Sequence, residues 1–347
     1  MVEWFPRMET TQPNSRTAIP TRLSAPKISV VIPTYNRARF LKEALESVFS
    51  QTVADREIIV VDDGSSDETR AVLEPFRDRI RYLYQENAGG AAARNRGIAA
   101  ARGEWVAFLD SDDRWEPHAL QALLEAASRH PEAGFIIMRA CEIDAAGQRT
   151  GRRLGKRSPG PFFTTPDLLW GDSGSIHMPM IRRSLLETVG GFDESLAAAQ
   201  DCELAIRFSF HTRLVSVPEP LLLRRVHSGN LSSDMLLNSI MWLRVLEKLK
   251  REQSGWVRRH AWVYRRAVGK EHLRAGRELL VRSEHDARAV KQATDHLRRS
   301  LASYPLFIRA WIYLAWSALA PSSYPMWRRM ERRGLRLRRK DRSSPTR

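Results

Sequence analysis

The sequence predicts an α/β protein: a doubly wound, mostly parallel sheet flanked by helices, then a helical C-terminal region. Three observations carry this. Short β-branched runs, such as Ile28–Ile32 and Glu57–Val61, alternate with segments whose apolar residues recur at helical spacing. The runs end on polar residues (Asn36, Asp62 and Asp63, and the stretch Asp110-Ser111-Asp112-Asp113), so chemistry gathers at one sheet edge, where a ligand crevice is expected. From Leu231 onward the pattern is helical.

Residues 1–26, punctuated by Pro6, Pro13, Pro20 and Pro26, read as a flexible leader. Ile28–Ile32, closed by Pro33, reads as a buried strand. Phe40, Leu41, Ala44, Leu45 and Val48 then mark a helix. Glu57–Val61 is the second strand, followed by a helix over Ser66–Phe76 with Ser66 or Asp67 as its N-cap. Ile80–Tyr84 is a third strand, the alanine-rich Gly90–Ala101 a helix, and Trp105–Leu109 the fourth strand. Beyond these come a helix at Ala119–Ser128, a strand at Ala133–Met138 and a basic loop at Gly151–Pro166. A helix around Leu185, another at Ala199–Phe208 and a short strand at Leu221–Leu223 complete the unit. Helices are expected at Met235–Lys250, Gly255–Arg282, Ala287–Ser303 and Phe307–Leu319, the last two as a hairpin against the α/β unit. The expected organisation is a leader (1–26), an α/β unit (27–233), a helical region (234–320) and a basic tail (321–347).

Composition narrows the function. Two cysteines in 347 residues exclude a disulfide scaffold and suit a reducing compartment. No segment has the roughly 20 apolar residues that span a bilayer, so a cytoplasmic protein is expected. The net charge is +16, and the final 27 residues hold ten Lys or Arg against Glu331 and Asp341. That tail reads either as a solubilising, partly disordered tail or, with Trp327 and Leu335 among the arginines, as a peripheral contact with an anionic membrane at the inner face of the cell membrane. It has no nucleic-acid recognition motif, and no nucleic-acid partner is expected.

The run Asp110-Ser111-Asp112-Asp113 is the most informative stretch. Clustered carboxylates repel one another unless a cation neutralises them. Hard oxygen ligands suit Mg2+ or Mn2+, and such an ion suits a phosphate-bearing ligand. A zinc site is not supported: His177, His211 and His227 are scattered and the cysteines are unpaired.

Four motifs occur in one order: Val30–Arg37, Val60–Asp67, Asn87 with Gly89-Gly90 and Arg94–Gly97, and Phe108–Asp113. Together they resemble glycosyltransferase family 2, over about residues 27–233. The resemblance implies a GT-A fold and an inverting transfer from a nucleotide-diphospho-sugar to a glycan or lipid-linked acceptor, in surface polysaccharide or glycan synthesis. It implies that Pro33, Thr34, Tyr35 and Asn36 line the nucleotide pocket, that Asp62 and Asp63 accept hydrogen bonds from base or ribose, and that Arg94 lies near the diphosphate. Asp62-Asp63-Gly64 also reads as a plain turn with helix capping. Asp110 and Ser111 would face the donor; Asp112 and Asp110 would hold the metal, with His227 a further candidate. An acceptor hydroxyl must lose a proton as it attacks, and a carboxylate within reach does this well. The resemblance places that base at Asp201, after Gly190-Gly191-Phe192-Asp193, with Gln200 departing from the usual Glu; Asp193 and Glu203 are the competing carboxylates. The Gln-x-x-Arg-Trp motif and membrane spans of processive members are absent, which favours addition of one or a few sugars. The alternative is a nucleotide-sugar-binding protein that has lost catalysis.

Overall fold

Ile28-Ser29-Val30-Val31-Ile32-Pro33-Thr34 forms β1 (Ile28–Thr34), buried at all seven positions. Branched side chains on both faces suit a strand covered by helices above and below. The computed structural model describes residues 25–155, 160–170, 180–230, 233–283 and 286–319. After β1 come α1 (Ala38–Phe49), β2 (Arg56–Asp63), α2 (Thr69–Leu73) running into a 3-10 turn, β3 (Arg81–Gln85), α3 (Gly90–Ala100) and β4 (Trp105–Phe108). Next are β5 (Arg114–Trp115), α4 (Ala119–Arg129), β6 (Ala133–Ile143), β7 (Arg149–Leu154), β8 (Phe162–Phe163), α5 (Thr165–Trp170) and β9 (Met180–Arg182). Then follow α6 (Arg183–Val189), α7 (Gln200–Phe208) and β10 (Arg213–Arg225). The helices α8 (Met235–Glu252), α9 (Ser254–Arg259), α10 (Ala261–Arg282), α11 (Ala287–Ser303) and α12 (Ile308–Leu319) complete the described chain.

The sheet runs β3-β2-β1-β4-β9-β6-β10-β5, with β7 on β6 and β8 on β10. β3, β2, β1 and β4 are parallel, as expected. β9 then inserts antiparallel between β4 and β6, so the second half is mixed. Because side chains alternate across a strand, β1 feeds two cores. Val31 joins Phe108, Phe135, Leu204, Trp242 and Leu246 on one face. Val30 and Ile32 join Leu41, Leu45, Leu120 and Leu123 on the other. α8 and α10 thus share a core with the sheet, whereas α11 and α12 close a separate cluster around Leu280, Ala293, Leu297 and Tyr313. The expected hairpin exists, but it reaches the α/β unit through α10.

Three local expectations are corrected. The stretch expected as a loop from Gly151 contains the end of β7, then β8 and the start of α5. β7 is exposed at Arg149–Arg153, so it lacks an apolar signature. The short strand at Leu221–Leu223 is the end of the 13-residue β10. Pro218 and Pro220 read as breakers, and the strand accommodates them by register shifts against β6 between Val217 and Leu222. The single helix expected from Gly255 is broken at His260 between α9 and α10, where the ring stacks on Trp256 at 4.4 Å. The leader through residue 24 and the tail from 320 lie outside the described residues.

Candidate active site

Parallel register aligns the polar strand ends. Thr34 pairs with Asp62 and Asp63 with Gln85, while the Leu109 N–H bonds the Val31 carbonyl and carries the chain from β4 into the acidic run. Pro33 and Thr34 end β1; Thr34 Oγ1 is buried without a hydrogen-bond partner. Tyr35 is 47% exposed beside it. Asn36 adopts φ +50°, a conformation in which its Oδ1 takes the Ser66 and Asp67 N–H groups. Asp62 and Asp63 are buried and engaged within the protein. Asp62 accepts from Ser65 N (2.9 Å) and Tyr82 Oη (2.9 Å). Asp63 accepts from Gln85 Nε2 (2.7 Å), Ala88 N and Gly89 N (2.9 Å each). Both hold the turns that shape this edge, the structural role the sequence also allowed.

The acidic run forms a turn, closed by the Asp113 N–H on the Asp110 carbonyl. Ser111 and Asp113 are buried. Arg225 secures the turn from β10: its N–H donates to Asp113 Oδ1 (2.8 Å), its Nε to the Asp112 carbonyl (2.9 Å) and its Nη2 to Glu43 of α1 (2.8 Å). The Phe40 ring lies 4.9 Å from both the Arg225 guanidinium and the His227 ring. Burial, then the charges of Asp112 and Asp110, push the Asp113 carboxyl well above the usual carboxylate range. Asp112 Oδ2 lies 3.0 Å from His227 Nε2 and 3.6 Å from Arg37 Nε. The Gly229 N–H donates to His227 Nδ1 (3.1 Å), which leaves the ring proton on Nε2, pointing at Asp112. His227 therefore holds Asp112 here; direct metal ligation would require the other tautomer. One oxygen from each of Asp110, Asp112 and Asp113 lies within 4.8 Å of the others. An all-oxygen set of three carboxylates fits Mg2+ or Mn2+.

α3 connects this turn to the second half of the site. Gly97 lies against β1: a Cβ there would meet Val31 Cγ1 at 2.3 Å, so only glycine permits the approach. One turn earlier, Arg94 donates Nη2 to Asp110 Oδ1 (2.6 Å) and Nη1 to Gln200 Oε1 (2.8 Å). Its neighbour Asn95 clasps the Phe192 backbone, donating to the carbonyl (2.9 Å) and accepting from the N–H (2.7 Å). Arg207 fixes the same turn through the Val189, Gly190 and Gly191 carbonyls. The chain then enters α7 through Ala199 at φ +60°, a left-handed conformation that costs a non-glycine residue about 1 kcal/mol. Asp201 stands in the first turn of α7, its Oδ1 accepting the Cys202 N–H (2.9 Å). Desolvation raises its proton affinity above the usual carboxylate range, against the Cys202 hydrogen bond and the charge of Arg94. Asp110 adds a small upward push, so the two carboxylates share one electrostatic environment.

The competing carboxylates are committed elsewhere. Lys248 of α8 donates to Asp193 Oδ2 (2.6 Å) and lies 2.8 Å from Glu203, which Arg207 also binds at 2.9 Å. Asp201 makes no ion pair among the described residues. Sequence reasoning missed Glu43, Arg207 and Lys248, and gave Arg37 and Asn95 no role of their own although both stand inside the family motifs; Glu43 and Lys248 pair with residues far away in the chain, and Arg207 shows locally only an ordinary i,i+4 pairing with Glu203.

A mixed sheet with a carboxylate cluster at the ends of its parallel strands, tied by Arg94 to Gln200 beside a carboxylate of raised proton affinity, is the arrangement of a group-transfer protein. Residues 29–190 match glycosyl transferase family 2, and this segment is a domain of that family. An uncharacterized glycosyltransferase of Nostoc sp. is 52% identical over 137 residues, 38% of this chain and 42% of the relative. The chain thus spans under half the length of that relative. The O-antigen biosynthesis protein RfbC of Myxococcus xanthus is 36% identical over 206 residues, 56% of this chain and 16% of RfbC. The fold is of the GT-A type: S. aureus TarS 1-349, solved in complex with UDP-GlcNAc, superposes with a TM-score of 0.60 at 18% identity, covering 89% of this chain and 92% of TarS 1-349.

Proposed function

We propose that this chain transfers a sugar from a nucleotide-diphospho-sugar to an acceptor hydroxyl with inversion, in the assembly of a cell-surface polysaccharide or glycan. The observation that carries this reading is the Arg94 bridge, which links Asp110 at the strand ends to Gln200, the residue before Asp201. Support for the donor class comes from the complex of TarS with UDP-GlcNAc, and for the setting from RfbC.

Asp201 accepts the acceptor's hydroxyl proton while that oxygen attacks the anomeric carbon. The bond from that carbon to the diphosphate oxygen breaks, its electron pair leaving with the nucleoside diphosphate. Desolvation suits Asp201 to this work, because a base of raised proton affinity takes a proton more readily. Arg94 orients Asp110 toward the donor, and the strand-end loop Pro33–Asn36 receives the base, with Tyr35 exposed for stacking. Asp112 and Asp110 would hold a divalent cation, with Asp113 behind them. Such an ion neutralises charge developing on a departing diphosphate. The catalytic unit is assigned to residues 27–233.

The test is nucleotide release from UDP-, GDP- and dTDP-sugars with Mg2+ or Mn2+, with the product's anomeric configuration read by NMR. Release with an inverted product supports the reading. A retained configuration overturns the mechanism, and donor binding without turnover on any acceptor makes the chain a binding protein.

A further inference from the structure

α12 carries apolar side chains on both its faces. Ala310, Tyr313 and Ser317 turn inward and are buried. The outward face presents Ile308 (73% exposed), Trp311 (55%) and Ile312 (47%), and the approach to the helix adds Leu306 (72%). Within Ile308–Leu319 the polar exceptions are Arg309, Ser317 and the Tyr313 hydroxyl. A surface helix in water normally turns a charged face outward, and contiguous exposed apolar groups mark an interaction site. The indole N–H of Trp311 is satisfied by the Pro305 carbonyl at 3.0 Å, so its ring needs no aqueous partner. Trp262, at the start of α10, is 51% exposed and continues the aromatic surface, with Trp170 at 5.0 Å and Tyr304 at 6.0 Å.

Charge selects the occupant. Residues 1–253 contain 33 Lys or Arg and 33 Asp or Glu, whereas residues 254–347 contain 23 against 7. The whole net charge of +16 therefore resides in the segment that carries this apolar face. Arg258, Arg259, Arg265 and Arg309, in the same basic segment, are exposed. Trp and Ile projecting from a basic scaffold are the composition of elements that lie in the interface of an anionic bilayer, with rings among the acyl chains and arginines at the headgroup phosphates. Among the described residues no helix is long and apolar enough to cross a membrane.

We propose that the outward face of α12, with Leu306 and Trp262, docks on the surface of an anionic lipid bilayer. The sequence pointed to the basic tail alone; the folded face adds apolar insertion to electrostatic attraction. This surface lies outside the family 2 match and stands whichever sugar the catalytic half transfers.

The test is co-sedimentation of the full chain with phosphatidylcholine vesicles, with and without phosphatidylglycerol, at low and high salt. The wild type is expected to bind the phosphatidylglycerol vesicles at least about tenfold better. The triple substitution Ile308→Ser, Trp311→Ser, Ile312→Ser keeps every charge and should lower that binding about tenfold, leaving only weak adsorption that salt removes. Its melting curve reports folding, and Leu306→Ser with Trp262→Ser gives a second variant at the other side of the patch. Wild-type partitioning by both variants overturns the proposal, as does indifference of the wild type to phosphatidylglycerol. Loss of a dimer by light scattering with lipid binding unchanged would assign the face to a second copy. A parallel loss of RNA co-sedimentation without any lipid preference would assign it to nucleic acid.

Discussion

Arg94 Nη2 stands 2.6 Å from Asp110 Oδ1, and the other arm of the same guanidinium holds Gln200, the residue before Asp201. A planar fork spans both sides of the site at once, which a lysine ammonium on its flexible stem does not reproduce. Arg94→Lys should therefore lower kcat/KM about tenfold or more while the fold melts near the wild-type temperature. Steady-state kinetics beside a thermal melt check this.

Gln200 gives a sharper test, because the family resemblance leads to Glu at this position. Gln200→Glu places a second anion beside Asp201 and competes with Asp110 for Arg94. Desolvation already holds the Asp201 carboxyl above the usual range, and an added negative charge moves it further up. The base works only when ionised, so kcat/KM falls as pH drops through its pKa and is flat above it. The acid limb of the wild-type profile should lie above the ordinary aspartate range, and Gln200→Glu should shift it to still higher pH. An unmoved limb would remove Asp201 from the titration.

The contact of Gly97 with Val31 predicts a coupled pair. Gly97→Ala forces a Cβ into the Val31 side chain and should cost about 1–3 kcal/mol. Val31→Ala supplies the missing space, so the double variant should be more stable than the sum of the single effects, by an interaction of about 1 kcal/mol in denaturant melts. Because α3 also positions Arg94, Gly97→Ala alone should reduce kcat/KM.

Lys248 predicts a pH-dependent loss of stability. Burial pushes Asp193 up, but the bonds from Lys248 and Ser195 outweigh it and bring its carboxyl down to about 2. A depressed carboxylate stabilises the fold above its unfolded value, near 3.9, and that contribution is lost as pH falls through about 2. Lys248→Met leaves Asp193 and buried Glu203 without this partner and should cost about 2–3 kcal/mol near neutrality. The difference between wild type and variant should shrink toward pH 2.

Much of this was legible in the sequence. The parallel strands β1, β2 and β4 are β-branched or apolar and buried, so composition alone marks them. The acidic run was visible at the end of such a strand, and Asp201 through the family resemblance, after Gly190-Gly191-Phe192-Asp193. What escaped notice depends on distant pairing. Arg225 grips the acidic turn from more than a hundred residues away, and Lys248 reaches back to Asp193 from another helix. β7 escaped because an exposed edge strand needs no apolar residues. Ala199 gives no sign that it adopts φ +60°. The apolar outer face of α12 became visible only once its inner face was known.

The account assigns donor and metal to the acidic turn and the proton to Asp201. The most direct measurement pairs calorimetric titration of Mn2+ and donor with single-turnover nucleotide release for Asp201→Asn and Asp112→Ala. The account predicts that Asp201→Asn binds both as the wild type does yet releases nucleotide about a thousandfold more slowly, while Asp112→Ala loses the Mn2+ heat. Wild-type turnover by Asp201→Asn, or undiminished Mn2+ binding by Asp112→Ala, would contradict it.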